Sequence, residues 1–157
     1  MREIPHEMIG ECATWLSIVG QLFGVRMTQN LRPFAVTQGQ FSILHHIVRK
    51  SGAAGLRVSD IAVAVEVGQP AVTKAIAKFE NMKLVSLSTS ASDKRSNLVH
   101  ATPEAGVFLG QIYASLLPDL TAIFQGWSAD RMAQFITDLQ ELGKNLDAGR
   151  NCQTIRE

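Results

Sequence analysis

The sequence is poor in cysteine and in charge. Its only cysteines, Cys12 and Cys152, stand near opposite ends of the chain, without the paired spacing of a zinc site or the density of a disulfide scaffold. No uninterrupted apolar run reaches the roughly 18 residues that a membrane span requires, and the first residues lack the basic-then-apolar layout of a signal peptide. We therefore expect a cytoplasmic protein with no structural metal, no cofactor and no membrane partner.

The motifs of catalysis are also missing. The chain has no glycine-rich phosphate loop, no nucleophile elbow and no spaced histidine and glutamate set for a metal. His45 and His46 are adjacent, so on a helix they point about 100° apart and cannot share one metal ion. We expect no catalytic residues, no metal site and no enzyme activity.

Charge is unevenly distributed, although the net charge is only +1. Between Arg49 and Arg95 there are eight lysines and arginines against four acidic residues, whereas the two flanks together hold seven against ten. A basic middle between acidic ends indicates that the middle meets a polyanion.

Helical periodicity begins at the N-terminus and continues through two further segments. Residues 4–29 predict an amphipathic helix, broken at Pro33, and Thr37 with Gln40 predicts a capping box for the next helix. Ser59 is a plausible N-cap for the short helix "DIAVAVEV", and Pro70 suits the start of another helix. Two short helices joined by a tight turn predict a helix-turn-helix. The residues expected to supply the core between these helices are Ile61, Val65, Val72, Ile76 and Phe79.

After the helix-turn-helix the period changes to that of strands. "LVSLS" and "NLVHA" are rich in β-favouring residues and are separated by polar ones, which predicts a hairpin. A long helix from Thr102 to Phe124, kinked at Pro118, and a last helix capped by Ser128 complete the chain. The predicted fold is mainly α with a small β-hairpin wing: a winged helix-turn-helix DNA-binding domain flanked by dimerisation helices.

The second helix of the pair has an outward face suited to DNA. Pro70, Lys74 and Lys78 lie on this face, with Thr73 on its flank and Gln69 at its cap; lysine can meet guanine edges or phosphates, glutamine can pair with adenine, and a threonine methyl can touch thymine. The alternative is an ordinary solvated helix face. Its position before a wing favours DNA contact.

The hairpin tip has a second candidate contact. Asp93 and Arg95 flank Lys94, and an aspartate two residues before an arginine can hold it extended for insertion into a narrow minor groove. A solvent-exposed turn is the alternative, in which such an ion pair is worth at most about 1 kcal/mol.

The stretches "TQGQFSILHHI" and "AVTKAIAKFENMKLV" and the "DKR" of the wing closely resemble the MarR family of transcriptional regulators, over roughly residues 30–148. The resemblance implies a homodimer built by a leading helix and two trailing helices around two winged helices. It implies a phosphate contact at Ser59, a wing tip in the minor groove (Asp93, Lys94, Arg95), and a major-groove face made by Gln69, Ala71, Thr73, Lys74 and Lys78. The family usually has glycine where Lys83 stands, so we expect Asn81 or Lys83 to adopt a costlier backbone geometry at this helix end. It usually has serine or threonine where Gln69 stands.

The resemblance also implies an effector pocket between the dimer helices and the winged helix, for small and often aromatic anions. The candidate lining residues are Trp15, His45, His46, Phe108 and Tyr113, each of which could instead be simple core or interface. We expect one MarR-like domain over residues 1–157, with a DNA-binding region at 37–102 and dimerisation helices at 1–30 and 103–148.

The expected function is a sequence-specific regulator. We expect a repressor that binds a pseudo-palindromic operator on double-stranded DNA as a homodimer and is released by a small-molecule effector of aromatic or phenolic type. Two alternatives stay open: redox sensing through Cys12, which Glu7 and Glu11 would disfavour, and a winged helix that binds protein rather than DNA.

Overall fold

The computed structural model describes residues 4–89 and 97–153, of which the side chains of 149–153 are not described. The first part contains α1 (His6–Leu31), a 3₁₀ turn (Arg32–Phe34), α2 (Gln38–Lys50), β1 (Leu56–Arg57), α3 (Val58–Ala64), α4 (Gln69–Asn81) and β2 (Val85–Thr89). The second part contains β3 (Asn97–Ala101), α5 (Pro103–Ile123) and α6 (Ala129–Gln153). The mainly α fold with a small hairpin is confirmed.

The chain divides into two compact units, Met1–Leu117 and Pro118–Glu157. The boundary falls inside α5, at the proline that interrupts its hydrogen-bonding pattern. The winged helix lies wholly within the first unit.

Helix α1 leaves most of its apolar side chains exposed. Only Met27 and Leu31, in its last turns, are buried. Nine large apolar residues of the helix are exposed: Met8, Ile9, Trp15, Leu16, Ile18, Val19, Leu22, Phe23 and Val25. Exposed apolar area of this extent is typical of a surface that binds another molecule.

Two helical segments, His6–Phe34 and Pro103–Ile123, are long and apolar enough by length and composition to cross a membrane, with a mean hydropathy of 1.3 in each. Each segment contains a few charged or polar residues, so neither is an uninterrupted apolar run long enough to span a membrane. The same composition suits helices that bury an apolar face against protein, so the observation has little weight alone.

Helix α2 begins at the predicted capping box. The Gln40 amide donates to Thr37 Oγ1 at 3.2 Å, and the Thr37 amide donates to Gln40 Oε1 at 3.2 Å. Both otherwise orphaned amides are thereby satisfied. The helix buries Ile43, Leu44 and Ile47 in the core of the first unit.

The sheet has three antiparallel strands in the order β1, β3, β2. The hairpin of β2 and β3 was predicted, but β1 was not; its two residues pair with the returning strand, Leu56 opposite Val99 and Arg57 opposite Leu98. Gly55 immediately precedes β1 with φ +71°, and a Cβ there would lie 2.7 Å from the His100 ring. This close approach requires glycine.

Helix α4 passes into β2 through a Schellman ending. The Leu84 amide donates to the Phe79 carbonyl at 2.8 Å, and the Lys83 amide donates to the Glu80 carbonyl at 2.9 Å. Lys83 therefore adopts the left-handed conformation, with φ +61°. The expectation that a residue here takes a costly geometry in place of glycine is confirmed.

The second unit contains the end of α5 and all of α6. The Arg131 amide donates to Ser128 Oγ at 3.2 Å, which confirms the predicted cap. Trp127 lies between the rings of Phe124 and Phe135, with centroids 5.3 Å from each, and the Arg131 guanidinium lies 4.0 Å from the Trp127 ring centre. These contacts stabilise the turn between the helices.

Candidate nucleic-acid interface

The helix-turn-helix is held by a small apolar core. Ile61 of α3 and Val72 and Phe79 of α4 are fully buried, as predicted. The turn between the helices contains Glu66 in the left-handed region, with φ +53°, and the Val67 amide donates to the Ala62 carbonyl at 3.1 Å. The two helices are therefore fixed relative to one another, so the outward face of α4 is presented by a stable scaffold.

Ser59 does not cap α3, contrary to prediction. The helix begins two residues earlier than predicted, at Val58, with Arg57 in the N-cap position and no side chain capping it. Strand β1 ends where α3 begins, so the chain direction is set by pairing with β3 rather than by a cap. The Ser59 hydroxyl instead donates to Asp60 Oδ1 at 3.2 Å. Its predicted phosphate contact stays a prediction.

The start of α4 exposes the residues expected to read bases. Gln69, Pro70, Ala71 and Lys74 are all exposed, and Gly68 precedes them at the N-cap without a side chain. No carboxylate occurs between Gln69 and Lys74. This face can therefore approach a polyanion without like-charge repulsion.

Thr73 uses its hydroxyl within the helix. Its Oγ1 donates to the Gln69 carbonyl one turn earlier, at 3.0 Å. The hydroxyl proton is therefore already donated within the helix. The methyl group is the part of the side chain that is suited to contact a thymine methyl.

Lys78 was predicted to lie beside Lys74 on the DNA side, and its environment is different. It is half-buried, and its ammonium donates to Gln40 Oε1 at 2.9 Å and to the carbonyl of Ala35. Ala35 and Gln40 stand about forty positions away in the sequence, on either side of the start of α2, so no local pattern announces these contacts. They are the residues around this site that sequence reasoning missed.

The wing is described only at its base. Ser88 Oγ of β2 lies 2.8 Å from Nε2 of His100 on β3, a hydrogen bond across the hairpin. The predicted tip residues Asp93, Lys94 and Arg95 lie outside the described residues. The described pairing of β2 with β3 runs from Val85 opposite Ala101 to Thr89 opposite Asn97.

Three aromatic rings meet where α2 packs near α5. The ring centroids of Phe41 and Tyr113 lie 5.9 Å apart, those of His45 and Tyr113 6.3 Å, and those of Phe41 and His45 6.0 Å. Two of these residues are predicted effector contacts, and Phe41 was not among the predicted ones. The structure thus brings His45 and Tyr113 together and adds a third ring to them.

The surroundings of this aromatic cluster shift its titrations. Burial, and secondarily the nearby Arg49 cation, lower the pKa of His45. Burial also lowers the pKa of His46, with a smaller contribution from Lys50. Burial raises the pKa of the Tyr113 hydroxyl, and Arg49 acts in the opposite direction. The two imidazoles are therefore biased towards their neutral forms beside a permanent cation.

The other predicted effector residues lie elsewhere. Phe108 packs edge-on against Phe34 with centroids 5.9 Å apart, and Trp15 is exposed on α1. Cys12 is exposed on the same helix. Within residues 4–89 and 97–153, no group of three or more histidines, cysteines and carboxylates could hold a metal ion.

Known proteins resemble this chain both in part of its sequence and in its fold. Residues 36–96 match the model described as MarR family. A MarR-family transcriptional regulator from Rhodococcus sp. RHA1 has a similar structure, with a TM-score of 0.71 at 18% identity over 90% of this chain and 96% of that chain.

Two further solved structures have a fold similar to that of this chain. Wild-type MarR from E. coli in its apo form matches with a TM-score of 0.69 at 22% identity, over 90% of this chain and 98% of that chain. CouR from Rhodococcus jostii RHA1, solved bound to p-coumaroyl-CoA, matches with a TM-score of 0.67 at 20% identity, over 83% and 90% of the two chains. At these identities the likeness shows the fold, while the family model addresses the winged helix itself. Residues 36–96 of this chain are therefore similar to the MarR family, and the fold is that of solved MarR-family structures.

Proposed function

We propose that this protein is a cytoplasmic repressor that binds a pseudo-palindromic operator as a homodimer and is released by a small aromatic anion. The observation that supports it best is the face of α4 from Gln69 to Lys74. It is exposed, contains an amide and a cation without a carboxylate, and stands on a helix-turn-helix fixed by a buried core. Those are the groups and the support that major-groove readout requires.

The exposed apolar surface of α1 supports association into a dimer. Side chains such as Trp15, Leu22 and Val25 are 58%, 61% and 54% exposed, which is unfavourable for a helix that faces only water. Burying this stripe against a second copy would give a two-fold dimer with one recognition helix per protomer, and thus half-sites about 10 base pairs apart. A Leu22→Glu variant should then sediment as a monomer and lose operator affinity.

The aromatic cluster of Phe41, His45 and Tyr113, with Arg49 nearby, supports the effector assignment. A cluster of rings beside a cation is suited to an aromatic ring bearing a carboxylate. CouR, of the same fold, is known with an aromatic acyl thioester bound. Tyr113→Leu should weaken effector-induced release of DNA, whereas Tyr113→Phe, which keeps the ring, should preserve most of it.

The decisive experiment is selection of bound sequences from a random DNA pool, followed by fluorescence anisotropy on the selected duplex across a salt series. Each phosphate contact contributes about 0.9 to the slope of log affinity against log salt. If each Lys74 of the dimer meets a phosphate, Lys74→Ala should lower the slope by about 1.8. Lys144→Ala, which removes the same charge from α6, is the control and should leave the slope unchanged.

The wing makes a separate contribution in this proposal. Arg95 is the residue expected to enter the minor groove, so Arg95→Ala should weaken binding strongly at fixed salt. Unchanged affinity of that variant would refute the wing assignment alone. A flat salt profile of the unmodified protein would refute DNA binding and favour a winged helix that binds protein.

A further inference from the structure

Two lysines one helical turn apart on α4 are placed differently. Lys74 is exposed, and no acceptor within the described residues binds its ammonium. Lys78 is half-buried, and its ammonium has two oxygen acceptors from outside the helix, the Ala35 carbonyl and Gln40 Oε1. Although the two lysines have the same charge and lie on the same helix, they are therefore not equally available to DNA.

Both acceptors belong to the corner between α1 and α2. Ala35 caps the 3₁₀ turn in the left-handed conformation, with φ +55°, which is unfavourable for a residue with a Cβ. Gln40 Oε1 already accepts the Thr37 amide in the capping box, so the same oxygen serves the cap of α2 and the ammonium of α4. Lys78 thus holds a strained corner to the recognition helix.

The charge around this corner supports a structural use of the ammonium. A cavity of about 470 Å³ opens beside Lys78, lined also by Arg32, Gln29 and Gln38, and no carboxylate lines it. The ammonium is stabilised by neutral oxygens, which hold it by charge-assisted hydrogen bonds without neutralising it. To reach a phosphate, the side chain would have to give up both bonds and leave the Ala35 carbonyl without its cation.

We propose that Lys78 is a positioning residue: it fixes the orientation of α4 by joining it to the α1–α2 corner, and it does not bind a phosphate. This inference rests on the proposed DNA-binding function. It also connects the predicted dimerisation helix with the predicted recognition helix, because the corner directly continues α1. An alteration at that corner would also reach α4 through this side chain.

The test compares Lys78→Met with Lys74→Ala by anisotropy on the selected duplex, between roughly 50 and 200 mM salt. Methionine keeps the apolar stem and removes the ammonium. We expect Lys78→Met to lower affinity by about fivefold to tenfold at every salt concentration, since bonds to a charged group are lost, with the salt slope unchanged. Lys74→Ala should change the slope.

A double-mutant cycle with Gln40→Met identifies the partner. If the bond to Gln40 transmits the effect, Lys78→Met should cost less affinity in the Gln40→Met background than in the unmodified protein. Equal costs in both backgrounds, or a slope that falls by about 1.8 in Lys78→Met, would overturn the proposal.

Amide hydrogen exchange separates this inference from the function on which it rests. Lys78→Met should speed exchange of the Thr37 amide and its neighbours in the free protein, and Lys74→Ala should leave them unchanged. If the unmodified protein binds no DNA but this difference is seen, the proposed function fails and the link stands. If exchange is the same in both variants, the link itself is refuted.

Discussion

Replacing Lys83 with glycine should stabilise the protein, although the substitution removes every side-chain contact at that position. Lys83 is exposed and has φ +61° in the Schellman ending of α4, with its amide bound to Glu80 and the following amide bound to Phe79. A left-handed residue with a Cβ costs about 1–2 kcal/mol relative to a right-handed one, and glycine avoids that cost.

The expected gain is smaller than the strain alone. Glycine gives the unfolded chain more freedom, which offsets about 0.5–1 kcal/mol, so the net increase in the free energy of unfolding is about 0.5–1 kcal/mol. For a chain of 157 residues this corresponds to a rise in Tm of about 1–4 °C. The Lys83 carbonyl would still accept the Thr102 hydroxyl, a bond of 2.8 Å that does not depend on the side chain.

Urea unfolding followed by circular dichroism measures this difference, at one fixed protein concentration because association changes apparent stability. Lys83→Ala is the matched control: it removes the same ammonium and keeps the Cβ. The free energy of unfolding of the Lys83→Gly variant should exceed that of the Lys83→Ala variant by the full predicted amount. If the two variants unfold at the same urea concentration, backbone strain at this position does not limit stability.

Three further results are expected. Thr37→Ala should lower the free energy of unfolding by about 1 kcal/mol, measured by urea unfolding, and Thr37→Ser should restore most of it because the cap oxygen returns. Gly55→Ala should destabilise by at least about 1–2 kcal/mol through its positive φ, and adding His100→Ala should relieve only the part due to the 2.7 Å clash. Because the folded state lowers the pKa of His45 and His46, the unfolded chain binds protons more readily below its own histidine pKa of about 6.5. The urea concentration at the midpoint of unfolding should therefore decrease as the pH is lowered from about 7.5 to about 5. Replacing both histidines with glutamine should weaken this pH dependence, and a midpoint that increases on acidification would contradict the reasoning.

Features fixed by neighbouring residues were predicted from the sequence. The capping box of Thr37 and Gln40 and the Ser128 cap each depend on contacts within a few positions, so residue types and spacing suffice. The helix-turn-helix core was predicted for the same reason. Its apolar positions repeat with the helical period, and the structure buries Ile61, Val72 and Phe79 as expected. The strained Lys83 was expected from the family resemblance, because glycine is usual at that position.

Features that depend on distant partners were not predicted. Strand β1 has two residues and exists only because Leu56 and Arg57 pair with β3, more than forty positions later. That pairing also displaced the start of α3 from the expected cap at Ser59. On the wheel of α4, Lys78 belongs with Lys74, and only the folded arrangement of the α1–α2 corner supplies the oxygens that separate them.

Lys83 lies in the short segment that joins α4 to β2, and its φ of +61° sets the orientation of the strand relative to the helix. A residue with a Cβ restricts that angle to a narrow range, whereas glycine would permit many. The strain at this joint is therefore accompanied by rigidity, and the two elements are held in one relative orientation. We expect the Lys83→Gly protein to tolerate a wider set of operator spacings, so that greater stability would be accompanied by poorer discrimination among genomic sites.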